Sequence, residues 1–154
     1  MKENVIRIEG YASLFDSRDL ASDLVRRGAF AASLMSRGAS GVRMLFQHQA
    51  SEPVGVWDSI REDARGLFVR GRLFAEGPLG RTAFALVKRG AIDGLSIGFR
   101  TRRERKSGPG RELLEIELWE VSIVTFPMLP QARLSIVEDA GRSAPIPVAA
   151  SLAR

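Results

Sequence analysis

Ser96 stands in Gly94-Leu95-Ser96-Ile97-Gly98-Phe99, a small hydroxyl set between two apolar residues and flanked by glycines. Such a serine becomes a nucleophile only where a base reaches it. The chain holds a single histidine, His48, whose imidazole is the group expected to titrate near neutrality. A carboxylate amid apolar residues, Glu120 in Leu118-Trp119-Glu120-Val121-Ser122-Ile123-Val124, supplies a third member. Together the three types suit acyl transfer: a nucleophile, a base, and a group that holds the imidazole in the tautomer that accepts the serine proton. Each also has a structural alternative. Ser96 can be an ordinary strand serine, His48 a hydrogen-bonded residue at a strand end, and Glu120 a solvent-facing carboxylate or the partner of one of many arginines.

Alternation places Leu95, Ile97 and Phe99 on one face of a strand and Ser96 and Gly98 on the other, where the glycines leave the serine open to close approach. The same alternation groups Glu120 with Leu118, Ser122 and Val124, which would turn the carboxylate inward. A buried carboxylate then needs a partner. Gly94-Leu95-Ser96-Ile97-Gly98 formally matches the Gly-x-Ser-x-Gly nucleophile elbow, but the context rejects it. An elbow needs a strand before the serine, a helix after it and a histidine downstream; here a helix precedes, a strand follows and His48 lies upstream.

At 154 residues, the chain suits one domain with a substantial core. It contains no cysteine, which excludes disulfides and thiolate zinc sites, and one histidine excludes a multi-histidine metal centre. Neither a metal nor an organic cofactor is implied. No signal peptide and no apolar run of the length of a membrane span is present, so an intracellular protein is expected, without membrane association. The net charge of +5 raises the question of an anionic partner. The basic residues are scattered, however, and no aromatics interleave with them as a base-stacking surface requires, which weighs against nucleic acid. Arg100, Arg102, Arg103, Arg105 and Lys106 form the one dense cluster.

The elements that must position these groups are short. Residues 5–15 alternate as a first strand, 16–23 read as a polar turn, and 31–37 as a short helix ended by Gly38. Residues 42–47 form a strand running directly into His48. A strand from Pro53 to about Ile60 and another over 67–74 flank a hairpin turn in which Gly66 is available for positive φ. Pro78 suits the first turn of a helix reaching Arg89, with Phe84, Leu86 and Val87 inward. The Ser96 strand then turns at Ser107-Gly108-Pro109-Gly110 into an antiparallel return over 111–125. Residues 132–137 form a last short strand, and 138–154, small and proline-bearing, read as a flexible C-terminal tail after a domain over 1–137. The pattern favours a mainly β fold, a barrel of six or seven strands decorated by two short helices.

Met44-Leu45-Phe46-Gln47-His48-Gln49 followed by Pro53-Val54-Gly55-Val56-Trp57 resembles the histidine motif of the prohead maturation proteases of tailed phages. Gly90-Ala91-Ile92-Asp93-Gly94-Leu95-Ser96-Ile97-Gly98-Phe99 resembles the family's serine motif, and 118–127 its third block; Gly10-Tyr11-Ala12-Ser13 and Gly28-Ala29-Phe30 fit its opening. The resemblance spans about residues 5–137 with motif order intact. It implies a serine endopeptidase with the fold of the herpesvirus assembly proteases, Ser96 as nucleophile and His48 as general base. Glu120 stands where those viral relatives carry a second histidine, with Glu117 and Asp93 as rivals for the role. The oxyanion site would fall within 128–133. The implied partner is the scaffolding segment of the major capsid protein, cleaved inside the assembling procapsid in the host cytoplasm. Self-cleavage and a homodimer are further expectations of the same resemblance. The rival reading is a non-catalytic scaffold or assembly protein of the capsid interior, binding nucleic acid through Arg100, Arg102, Arg103, Arg105 and Lys106. A phage, a prophage and a gene-transfer particle are all compatible origins.

Overall fold

The structure, a computed structural model, describes residues 4–137; the tail expected over 138–154 lies outside the described residues. Among the described residues, eight strands and two α-helices follow one another as β1 (Val5–Leu14), β2 (Asp23–Val25), α1 (Ala31–Arg37), β3 (Arg43–Phe46), β4 (Gly55–Glu62), β5 (Gly66–Phe74), α2 (Gly77–Lys88), β6 (Gly94–Ser107), β7 (Gly110–Val124) and β8 (Leu134–Ile136), with a single 3-10 turn over Ala39–Gly41. This is one strand more than the six or seven expected. The addition is β2, three residues that follow the polar turn and pair in parallel with Arg111–Leu113 at the start of β7.

β7 organises the sheet. It carries β6 along one edge in a long antiparallel hairpin, and on the other edge β2 at its start and β3 at its end, both parallel. From β3 the ladder continues through β4, β5 and β1 to β8. The circuit closes because Arg133, just before β8, bridges Gly94 at the head of β6. Leu95 N–H donates to Ala132 O at 2.9 Å and Leu134 N–H to Asp93 O at 2.8 Å. The result is a barrel with one seam, where β6 and β1 run as neighbours without a ladder between them. Ile8, Met44, Leu67, Val69, Leu73, Leu95, Leu118, Val121 and Ile123 fill its interior. Among the described residues no helix is long and apolar enough to cross a membrane.

The two helices begin in different ways. α1 lacks a Ser, Thr, Asp or Asn cap; instead the Glu62 carboxylate at the end of β4 accepts the N–H groups of Gly28 (2.9 Å) and Phe30 (2.8 Å) at its entrance. Gly38, at φ 71°, ends it as expected. α2 has Pro78 in its first turn and buries Ala83 and Val87, with Phe84 and Leu86 partly covered.

Gly66 departs from expectation. Its φ is not positive; it is required because a β-carbon there would collide with the Ser13 carbonyl across the β1–β5 pair. The turn it closes is held instead by the Asp63 carboxylate, which accepts the N–H groups of Arg65 and Gly66.

The hairpin beyond the barrel is laced by cross-strand ion pairs. Arg102 meets Glu117 at 3.2 Å, Arg103 meets Glu115 at 3.8 Å, and Arg105 meets Glu112 at 2.6 Å. Three members of the dense basic cluster thus already have carboxylate partners on β7, where cross-strand pairing favours opposite charges.

Candidate active site

A β-bulge sets the site. On β6–β7 the register runs Gly98 opposite Glu120 and then Phe99 opposite Leu118, which leaves Trp119 as an extra residue on β7. Leu118 before the bulge and Val121 and Ile123 after it all reach the barrel core. Strict alternation would have put Leu118 and Glu120 on one face. The extra residue reverses the phase, so Glu120 and Ser122 turn away from the core and share a face with Gly98 and Ser96 across the pair. The inward carboxylate expected from alternation is therefore corrected to an outward one. Trp119 itself is half-exposed and carries the Arg37 guanidinium over its ring, 4.2 Å from the centroid.

His48 arrives on the same face by a reversal of the chain. β3 runs parallel to β7, pairing Arg43 with Glu120 and Phe46 with Ile123, so a continuing strand would carry His48 beyond the end of β7. Instead Gln47 and His48 adopt φ 55° and 60°, and Gln49 N–H donates to Phe46 O at 3.0 Å. Two successive positive φ values with that hydrogen bond mark a type I′ turn. Left-handed backbone at a non-glycine residue costs on the order of 1 kcal/mol or more and survives only where its surroundings hold it. Here Gln47 N–H donates to Ile123 O (2.9 Å), His48 N–H to Ser122 Oγ (3.1 Å), and the Gln47 side chain exchanges two hydrogen bonds with Thr125.

The turn folds the imidazole back over Glu120. His48 Nδ1 lies 2.5 Å from Glu120 Oε2, and the other carboxylate oxygen, Oε1, accepts a hydrogen bond from Ser122 Oγ at 2.6 Å. The Glu120 side chain is 14% exposed, so its charge sits largely out of water, whereas His48 is 43% exposed. Hydrogen bonding to Glu120, reinforced by its charge, raises the His48 pKa above its ordinary value of 6.5 despite partial burial acting the other way. With Nδ1 occupied by the carboxylate, Nε2 is the ring nitrogen left to act as a base.

Ser96 is buried and sits directly opposite Ser122 in the β6–β7 register. It lines, with Gln47, His48, Val124, Thr125, Phe126 and Met128, an open cleft of about 480 Å³. The structure thus brings Ser96 and His48 to one cleft and Glu120 to His48. No hydrogen bond joins Ser96 to His48 among the described residues; such bonds tighten when substrate binds. The rivals for the third position are engaged elsewhere. Glu117 pairs with Arg37 (2.9 Å) and Arg102, and Asp93 with Arg133 (2.8 Å).

The two glycines beside Ser96 have neighbours more specific than open space. A β-carbon on Gly94 would press on Pro127, and one on Gly98 on the Glu120 carboxylate. Ser122, which fixes both His48 and Glu120, escaped the sequence reading as a site residue. Its position two residues after the carboxylate was the available signal, since i and i+2 share a strand face.

The profile of the caudovirus prohead serine proteases matches residues 1–144. The chain belongs to that family. The prohead protease of Enterobacteria phage HK97 is 36% identical over 135 residues, which cover 85% of this chain and 60% of that protein. The chain therefore spans less than two thirds of its relative's length. In fold, this chain is similar to varicella-zoster virus protease, with a TM-score of 0.56 at 16% identity, covering 86% of this chain and 64% of that one. It is also similar to the bacteriophage T4 capsid assembly protease, with a TM-score of 0.57 at 16% identity, covering 77% and 80% of the two chains. The mainly β, herpesvirus-protease-like barrel expected from the sequence is the fold observed.

Proposed function

We propose that this chain is a serine endopeptidase that cleaves the scaffolding segment of the major capsid protein inside the procapsid. The observation that carries the reading is the contact of His48 Nδ1 with Glu120, which leaves Nε2 as the free ring nitrogen of a residue that lines the same cleft as Ser96. Ser96 Oγ attacks the scissile carbonyl while His48 Nε2 takes its proton, forming the tetrahedral intermediate. The imidazolium returns the proton to the leaving amine, and water then hydrolyses the acyl-enzyme by the same relay. Glu120 holds the imidazolium by its contact with Nδ1. The oxyanion falls to backbone donors of 128–133, the segment lashed to the head of the Ser96 strand; Pro127 and Pro130 have no N–H to offer, and Ala132 already donates to Leu129 O. Self-cleavage and a homodimer belong to the same proposal.

Co-expression with the cognate capsid protein tests it. Wild type should shorten the capsid protein, and Ser96→Ala or His48→Ala should leave it whole, since loss of the nucleophile removes on the order of 10⁶-fold in turnover. Truncation that survives Ser96→Ala would sink the nucleophile assignment. The scaffold alternative is not favoured, because the arginines it would offer to nucleic acid include three that are paired with Glu112, Glu115 and Glu117.

A further inference from the structure

α2 carries charge that its surroundings do not balance. Arg81, Lys88 and Arg89 are exposed, and among the described residues none of them meets a carboxylate. Arg81 and Lys88 lie about two helical turns apart on one stripe, with Arg89 beside it. No acid occurs between Gly77 and Lys88. Of the flanking acids, Glu76 precedes the helix and Asp93 pairs with Arg133 at 2.8 Å. On the sheet, by contrast, Arg70 meets Glu9 at 2.8 Å and Arg72 meets Asp58 at 2.8 Å. The helix dipole accounts for Lys88 and Arg89, which close the C-terminal end. It does not account for Arg81, just past the first turn.

The helix is also tied to both halves of the cleft. At its N-terminal end Leu79 N–H donates to Glu52 Oε2 at 3.3 Å, and Glu52 belongs to the loop that follows His48. At its other end Gly90, at φ 77°, turns the chain toward Gly94 and the Ser96 strand. The stretch from Arg89 to Ser96 spans at most about 25 Å when extended. A polypeptide held at Ser96 therefore has the length to reach Arg89 within about eight extended residues of its own.

We infer that the exposed face of α2 is a docking surface for an acidic segment of the substrate polypeptide, away from the residues that flank the scissile bond. The inference rests on the protease reading above and adds a second point of recognition to it. Charge decides the class of partner. Three cations without internal partners, on a helix without acids, complement a segment rich in Asp or Glu, steering its approach and rejecting basic ones. Nucleic acid is the other polyanion that such a face could meet. Phe84, the ring beneath Lys88 Nζ at 5.7 Å, is packed against the core, so no base-stacking platform accompanies the cations.

Binding and turnover test this separately. Because Arg81, Lys88 and Arg89 are exposed, the triple variant Arg81→Ala, Lys88→Ala, Arg89→Ala should fold as wild type does. In a Ser96→Ala background, fluorescence anisotropy of a labelled oligoglutamate peptide reads the surface without any chemistry. The triple variant should raise its Kd about tenfold, the combined scale of a few exposed charge pairs. Binding to the unaltered surface should weaken steeply once the salt exceeds about 0.1 M. With Ser96 intact, the triple variant should raise KM for the cognate capsid protein by a similar factor at unchanged kcat. On a short neutral peptide spanning the cleaved bond it should match wild type. Equal oligoglutamate affinity in the two proteins, or an equal loss on capsid protein and short peptide, would overturn the docking surface and leave the protease reading standing. So would α2-dependent binding of a single-stranded oligonucleotide that is tighter than that of oligoglutamate. No cleavage by wild type overturns the protease reading and the substrate role with it, and the anisotropy then decides the acidic surface alone.

Discussion

A β-carbon on Gly98 would occupy the space taken by the Glu120 carboxylate, so the residue two places after Ser96 is small because the group that steadies His48 lies over it. The obstacle is the far end of a flexible side chain rather than backbone. Gly98→Ala can therefore fold by swinging Glu120 aside, at a stability cost of roughly 1.5–3 kcal/mol for the Ser122 hydrogen bond it gives up. The expected outcome is a melting temperature no lower than that of Glu120→Ala together with most of its activity loss. Parallel thermal unfolding and capsid-cleavage assays check it; full activity in Gly98→Ala would mean that the Glu120 contact is not needed for turnover.

The His48–Glu120 contact also fixes a pH signature. Since His48 must be neutral to accept a proton, kcat/KM rises with pH through its raised pKa, so the acid limb lies above 6.5. Glu120→Gln removes the carboxylate charge that holds the imidazolium, and the limb should move to lower pH with a lower plateau. For stability the sign is opposite. A raised folded-state pKa contributes stability that is present below about 6.5 and is lost as pH rises through the folded value. Because His48 is 43% exposed, that contribution is small. NMR titration of the lone imidazole in Ser96→Ala, with and without Glu120→Gln, reads the shift directly.

Ser122 should behave as a positioning residue. It is fully buried, donates to Glu120 Oε1 and accepts from His48 N–H in the left-handed turn. A hydrogen bond to a charged group is worth roughly 1.5–3 kcal/mol, which corresponds to about 10- to 150-fold in rate where the transition state feels all of it. Ser122→Ala is expected to lower kcat within that range with little change in KM, and to shift the His48 titration. A KM effect alone would assign Ser122 to substrate binding instead.

Much of this candidate site was legible before the structure. Residue type and context offered Ser96, His48 and Glu120 as candidates, each with a structural alternative, the family resemblance joined them, and the strands that carry or lead into them lie close to the expected bounds. What alternation could not carry was phase. The Trp119 bulge is one residue inserted against a partner strand, and nothing in the pattern of 118–124 marks it, because Leu118, Val121 and Ile123 read as a plausible apolar strand in either phase. The reversal at Gln47 and His48 was hidden for a related reason: Gln does not favour positive φ, His does so only rarely, and the turn is held by bonds to Ile123 and Ser122, some 75 residues away in sequence. Tertiary contacts overrode local preference at both places, and both serve the site.

The entrance to α1 shows the same dependence in a form that is easily measured. Its first turn offers no capping side chain of its own, and Glu62 supplies the acceptor from a strand 32 and 34 residues on. Glu62→Ala leaves the N–H groups of Gly28 and Phe30 without that partner, while Phe30 remains buried against Phe15 in the core. A lost cap costs about 1 kcal/mol, up to roughly 2 where the site is well formed. The substitution should therefore lower the denaturant midpoint by an equivalent amount while leaving kcat/KM at wild-type values, because α1 lies outside the cleft lined by His48 and Ser96. Glu62→Gln, which keeps one carbonyl acceptor, should recover part of the loss. Equal stability in all three proteins would show that solvent caps this helix as well as the carboxylate does.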